Sequence, residues 1–386
     1  MLEVAGASQR TIKVKLLIRR HLMSVIQVVP ALPPAINGLG DYALNLACQL
    51  RQEFGMETHF VVGDPRWLGT HEIEGFPISI LSQRSGAAVV STLLDAGSPP
   101  APVLVHYVGY GYAKRGCPVW LIDGLKHWRT KGSDRFVVTM FHELYAFGPP
   151  WTSSFWLSPL QKNLAIRLAC SSDRILTSRQ GYAEQLYQLS RGKHIQIPTL
   201  PVFSNLGEPK QVPPLAERKR RIVVFGSPSN RLRVYRESLA ELELTCKLLG
   251  IEEIWDIGST TGISLSTVSS VPVVELGKQP ATEISGFLLN SLAGFFNYTP
   301  IYLAKSTIFA AYCAHGLLPV SHVGNPVPMD GIMEGKQFWT PAKTEDENSL
   351  EQLQAIADNA RAWYHTHNLS VQAKTFANLL GNTTTA

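Results

Sequence analysis

The residues best suited to chemistry stand just beyond apolar, β-branched runs. "RFVVTMF" (135–141) leads into His142 and Glu143, and "PVLVHYV" (102–108) carries His106, with Tyr110 shortly after it. "RIVVFGS" (221–227) leads into Asn230, Arg231 and Arg233. Lys305 and Ser306 precede the small-residue stretch "TIFAAYCAHG". A neutral imidazole at a strand end can exchange a proton or hydrogen-bond a ligand hydroxyl or carbonyl. A carboxylate beside it can orient a sugar hydroxyl, act as a base or cap its own loop. Guanidinium and ammonium groups at the start of a helix suit a diphosphate. Ser306 is placed to cap the helix that follows it. Each residue alone also has an ordinary reading: a satisfied core histidine, aromatic packing around Tyr110, or a solvated basic turn. The weight lies in the succession of polar residues on the carboxyl side of one strand after another.

The stretch "INGLGDYALNLACQL" (36–50) adds a loop of a different kind. Asn37, Gly38 and Gly40 suit a tight turn or a close backbone approach to a phosphate or acceptor. Tyr42, Leu46, Ala47 and Leu50 then recur at helical spacing, with Asp41 as the helix's N-terminal anchor. Several familiar signatures are missing. There is no G-x-G-x-x-G followed by an acid, no GxxxxGK[ST], no G-x-S-x-G and no His/Cys cluster at metal-ligand spacing. A bound metal or cofactor is therefore not required.

Positioning such residues needs parallel sheets. Apolar runs at 24–31, 58–64, 102–108, 135–141 and 173–178 alternate with helical patterns at 41–53, 158–170 and 179–190, the pattern of βαβ units. A second series follows: strands at 221–227, 253–259, 271–277, 292–298 and 317–321, with a helix near 234–249. The expected fold class is α/β, two Rossmann-like doubly wound domains facing each other across a cleft. Residues 23–205 form the first domain and 221–348 the second, with a proline-rich linker at 206–220. Helices at 349–386 are candidates to cross back to the first domain. In such sheets ligands bind beyond the carboxyl ends of the strands.

A chain of 386 residues, 45% hydrophobic and 17% charged, can bury two cores. Five scattered cysteines fit a reducing, cytoplasmic setting. The net charge is +5, but Arg10, Lys13, Lys15, Arg19 and Arg20 against Glu3 place +4 of it in residues 1–22. The remainder is near neutral, which argues against a nucleic-acid partner. The basic extension 1–22 reads either as a peripheral membrane contact or as a stretch preceding a natural start at Met23. "GPPWTSSFW" places Trp151, Phe155 and Trp156 together, as a buried cluster or as a sign of an apolar or membrane-adjacent acceptor.

Together these segments resemble the two-domain (GT-B) glycosyltransferases, specifically the retaining family of glycogen-synthase-like and mannosyltransferase-like enzymes. "INGLGDYALNLACQL" is similar to that group's glycine loop and first helix. "VVTMFHE" resembles the strand ending in its active-site histidine, and "CSSDRILTSRQGYAEQL" its strand–serine–helix segment. "VVELGKQPATEISGFLLNSLAGF" and "AAYCAHGLLPVS" follow its donor-domain order. The resemblance implies transfer of a sugar from a nucleotide-diphosphate sugar to an acceptor hydroxyl of a carbohydrate or lipid-linked molecule, with retention and without a metal. It implies diphosphate binding by Arg231, Arg233, Lys305 and Ser306, and catalysis at His142 with Glu143. His106 and Tyr110 become candidate sugar or acceptor contacts. One departure stands out. The family's glutamate pair for donor sugar and ribose falls on Leu303 and Ala311 here, and Glu275 and Glu283 are the remaining carboxylates to consider. A non-catalytic binding protein and a nucleotide-sugar epimerase therefore stay open as alternatives.

Overall fold

The computed structural model describes residues 23–35, 38–97, 101–263, 265–325, 327–341 and 349–381. The extension 1–22 and Asn37 lie outside the described residues. The first sheet has seven strands: β1 (Ser24–Val29), β2 (Glu57–Val62), β3 (Glu72–Ile73), β4 (Phe76–Ile80), β5 (Val103–Tyr107), β6 (Val137–Phe141) and β7 (Arg174–Thr177). Their order is β3-β4-β2-β1-β5-β6-β7. All pairs are parallel except β3 with β4. β1 has β2 on one side and β5 on the other, so the strand order reverses between β1 and β5. Strands buried on both faces read as unbroken apolar runs, which is why β1, β5 and β6 stand out in the sequence.

Helices α1 (Gly38–Phe54), α2 (Gly86–Ala96), α3 (Gly109–Tyr112), α4 (Val119–Arg129), α5 (Ser153–Ser171) and α6 (Gln180–Leu189) accompany this sheet. The β3–β4 hairpin, α2 and α4 were not anticipated. The hairpin turns through Glu74 and Gly75, both at positive φ, where an alternation of strands and helices alone gives no signal. α2 and α4 pack together closely, and a Cβ on Gly124 of α4 would sit 2.5 Å from Val89 of α2. That glycine weakens the helical pattern in the sequence while permitting the contact.

The second sheet has six strands: β8 (Lys219–Phe225), β9 (Glu253–Ile257), β10 (Thr267–Val268), β11 (Val271–Gly277), β12 (Ser291–Phe296) and β13 (Leu318–Ser321). Their order is β10-β11-β9-β8-β12-β13, with a reversal between β8 and β12. Around it run α7 (Pro228–Glu237), α8 (Leu239–Leu249), α9 (Ala281–Leu289), α10 (Thr307–Ala314) and α11 (Leu350–His365). The helix expected near 234–249 is two helices, because the chain breaks at Ser238, which has φ −137° and ψ 25°.

α12 (Leu369–Gly381) leaves α11 and lies on α1 of the first domain. Its Gln372 accepts a hydrogen bond from Tyr42 at 2.6 Å and donates to the carbonyl of Pro201. Ala373, Phe376 and Leu380 are fully buried. At about 1.5–3 kcal/mol for each large apolar side chain, this face anchors the chain's last helix on the first domain. A backbone bond from Val202 to the carbonyl of Ala304, 2.8 Å, joins the two domains near their facing strand ends.

Candidate functional site

Two reversals of strand order aim their loops at a common seam. At the first, His106 points from β5 into a fully buried position and His142 follows β6, its amide bonded to the carbonyl of Tyr107. Gln27 of β1 donates from Nε2 to Thr58 (3.2 Å), so its Oε1 accepts from His106 Nε2 (2.8 Å). His106 Nδ1 then carries the lone pair and accepts from His142 Nε2 at 3.2 Å. Burial pushes His106 down to about 3. His142 is also held well below the usual histidine value, by burial first and then by His106 and Lys305. Both rings are therefore neutral, and His142 keeps a lone pair on Nδ1, the nitrogen without a partner among the described residues. That nitrogen can accept a hydrogen bond and has no proton to donate.

Glu143, next in the chain, reaches across the seam. Its Oε1 accepts from Lys305 Nζ at 2.7 Å. Lys305 ends a 3-10 turn (Pro300–Lys305) after β12 of the second sheet. Burial works against its charge, but Glu143, Tyr182 and Tyr298 outweigh that and raise its pKa. Ser306 caps α10, its hydroxyl accepting from the Phe309 amide at 3.2 Å. A cavity of about 250 Å³ opens here, lined by Tyr110, Glu143, Gln161, Tyr182, Tyr302 and Lys305. Tyr110 accepts from Gln161 at 3.1 Å.

One residue in this seam escaped the sequence reading. Arg179 follows β7 and is 6% exposed, stacked 4.8 Å from the ring of Tyr182 and 4.6 Å from that of Tyr302. Among the described residues its Nε has no partner and no carboxylate lies within ion-pair distance. Asp330 influences it from farther off while accepting the Gln180 amide at 2.6 Å. Lys305 stands 5.8 and 5.6 Å from the same two rings. Two cations thus share a pair of tyrosines supplied by both domains. Burying a cation without an acceptor is costly, so this arrangement favours an anion. The only sequence signal was an arginine directly after a strand, which is too common to single out.

Other expected site residues sit elsewhere. Arg231 is 1% exposed and donates to Asp256 and to the carbonyls of Gly226 and Ser259. Its donors are spent inside the second domain, and the space beside it holds only about 10 Å³. The expectation that Arg231 faces a diphosphate is corrected on that ground. Arg233 bonds Asn297 at 3.1 Å and pairs with Glu237. Gly40 is accounted for by packing, since a Cβ there would lie 2.5 Å from the carbonyl oxygen of Ala31. Gly38 is exposed, and its carbonyl accepts from Asn205. Asp41 lies in the first turn of α1, its pKa raised by burial.

Leu303 and Ala311 are core residues. Glu275 is exposed on β11, and Glu283 lines a separate hollow with Lys219, at the amino edge of the second sheet. Phe147, Trp151 and Trp156 are exposed rather than buried. Among the described residues no cluster of three His, Cys, Asp or Glu could hold a metal ion.

Solved structures share this architecture. WaaG, a glycosyltransferase involved in lipopolysaccharide biosynthesis, matches 93% of this chain and 100% of its own, with TM-score 0.55 and 12% identity. The fold is GT-B. An alpha-glucosyltransferase in complex with UDP and a 13-mer DNA matches 92% of this chain and 99% of its own, with TM-score 0.57 and 12% identity. A putative UDP-N-acetylglucosamine 2-epimerase from Listeria monocytogenes matches 92% and 94%, with TM-score 0.51 and 13% identity. No family model and no curated protein sequence matches the chain.

Proposed function

We propose that the protein is a glycosyltransferase that moves a sugar from a nucleotide-diphosphate donor to an acceptor hydroxyl, with retention and without a metal. The observation that carries this reading is the meeting of Lys305 and Arg179 with His142 and Glu143 where the two sheets' strand ends face each other. Charge developing on the departing diphosphate is neutralised by Lys305, assisted by Arg179, the electrostatic contribution that dominates such steps. The arriving phosphate takes Lys305 from Glu143, which frees that carboxylate to orient an acceptor or sugar hydroxyl. His142 Nδ1 accepts a hydrogen bond from the donor sugar, in the tautomer that Gln27 and His106 set. Arg231 and Arg233 support the loop and helix behind this site instead of touching the ligand.

The neighbours named above include a UDP complex, which makes uridine diphosphate the first nucleotide to try. The same complex holds DNA, so the near-neutral charge of the fold does not remove nucleic acid from the acceptor screen. The epimerase neighbour and the buried Leu303 and Ala311 keep two other readings testable. Nucleotide release from a panel of nucleotide sugars is measured with and without pooled saccharide, lipid-linked and oligonucleotide acceptors. Release that requires an acceptor supports transfer. Isomerised donor in the absence of acceptor means an epimerase, and binding without turnover of any donor means a non-catalytic protein.

A further inference from the structure

The segment that follows Glu143 carries an unusual surface. Phe147 is 77% exposed, Trp151 85% and Trp156 70%, with Phe155 and Leu160 also exposed. Single exposed apolar residues are ordinary, but five within fourteen positions form a patch that calls for a partner. The helix that bears most of it, α5, is apolar on two sides. Leu164, Ala165, Leu168 and Ala169 face the core from its later turns, while Phe155, Trp156 and Leu160 face solvent from its earlier ones.

Charge identifies the partner. Lys114, Arg115 and Lys162 are exposed, Lys162 on α5 itself and 5.9 Å from the ring of Tyr145, and Gln161 ties the 109–116 segment to α5 by donating to Tyr110 and to the carbonyl of Arg115. Neither 109–116 nor 144–163 contains an acid. Glu143, just before the second segment, is paired with Lys305, and Asp123 on α4 with Arg167, while among the described residues Glu184 on α6 keeps its charge and accepts only from the Gln180 side-chain amide at 3.4 Å. Exposed tryptophans on a segment that carries cations and no acid suit the boundary between anionic headgroups and acyl chains, and Trp156 already satisfies its indole N–H on the Pro150 carbonyl at 2.8 Å. The patch is continuous with the cavity, because Phe147, Tyr110 and Gln161 also line it.

We infer that this face of the first domain docks on an anionic phospholipid bilayer and admits a lipid-linked acceptor into the cavity from the membrane side. The inference rests on the transferase reading for the acceptor, but the docking itself needs neither donor nor turnover. It also differs from the contact expected of residues 1–22, since it places binding on residues 147–160.

Full-length protein is sedimented with phosphatidylcholine vesicles and with vesicles containing about 30% phosphatidylglycerol. Binding to the anionic vesicles is expected to fall at least ~10-fold in Trp151→Ser/Trp156→Ser and to weaken with salt in the wild type. The charge variant Lys114→Glu/Lys162→Glu loses the anionic preference while melting at the wild-type temperature. Quenching of tryptophan fluorescence by brominated lipid is expected in the wild type and reduced in the double serine variant. Absence of vesicle binding overturns the inference, and so does binding that the serine variant retains, which would assign it to residues 1–22. Vesicle binding without sugar transfer to any acceptor overturns the transferase reading and leaves the docking surface standing.

Discussion

Replacing Arg231 with methionine separates a scaffold role from a ligand role. The guanidinium is 1% exposed, and its loss leaves the Asp256 carboxylate with only the Tyr235 hydroxyl, 2.8 Å away, in a position that is itself 3% exposed. Removing one partner of a buried ion pair costs roughly 3–5 kcal/mol, because the other charge stays behind uncompensated. The carbonyls of Gly226 and Ser259 lose their donor as well, within that range and not in addition to it. Against a domain stability of about 5–15 kcal/mol this is a large fraction, equivalent to a fall in melting temperature of roughly 10 °C. Urea unfolding followed by far-ultraviolet circular dichroism measures the loss. Calorimetric titration of uridine diphosphate, well below the transition, measures what remains of the site. The folded variant is expected to bind the nucleotide within about 3-fold of wild type, under 0.7 kcal/mol. Arg231→Met/Asp256→Leu should recover most of the stability, since an apolar pair replaces a buried charge pair at little cost. A single variant that unfolds like wild type but loses nucleotide affinity would refute the scaffold role and return Arg231 to the ligand.

Three further outcomes follow from the same structure. His142→Ala should lower transfer by about 100-fold with nucleotide affinity nearly unchanged, the size of one lost hydrogen bond made in the transition state; a loss confined to nucleotide binding would contradict the assignment. Acid should destabilise the protein through His106, His315 and His367, whose pKa values burial lowers from 6.5 to about 3, 4 and 3. Below pH 6.5 the unfolded chain takes up protons that the native protein refuses, so stability falls with pH by about 1.4 kcal/mol per unit per histidine until the folded pKa is reached. His315→Gln should flatten that slope by one histidine's share in urea unfolding at stepped pH. Gly40→Ala should cost about 2 kcal/mol or more by driving a methyl against the Ala31 carbonyl, and a neutral result in the same assay would mean that the α1 start can shift.

What could be read in advance, and what could not, follows from the range of the interactions. β1, β5, β6, β8 and β12 are central, buried on both faces, and announce themselves as apolar runs. The carboxyl-side placement of His142, Glu143 and Lys305 follows from strand ends alone. Their meeting across the seam does not, because a bond between residues 162 positions apart leaves no local trace. Arg231 shows the opposite failure: an arginine in a loop after a strand looked ligand-facing, yet Asp256 at the end of the next strand had already claimed it. Gly40 looked built for a phosphate because a close approach was visible in the residue type but not the identity of what approaches. Trp151 and Trp156 carry no sign in sequence of whether a tertiary partner covers them, so the buried and the exposed reading of that cluster could be separated only by the structure, which exposes both.

The proposed transferase requires a nucleotide diphosphate held on Lys305 and Arg179 in the seam between the two sheets. Calorimetric titration of nucleoside diphosphates into wild type, Lys305→Ala and Arg179→Gln tests it most directly. Saturable binding of at least one nucleotide to wild type is expected, weakened about 10-fold or more in each variant, in line with a lost charge-assisted hydrogen bond. Wild-type protein that binds none of them, or variants that bind as wild type does, would contradict it.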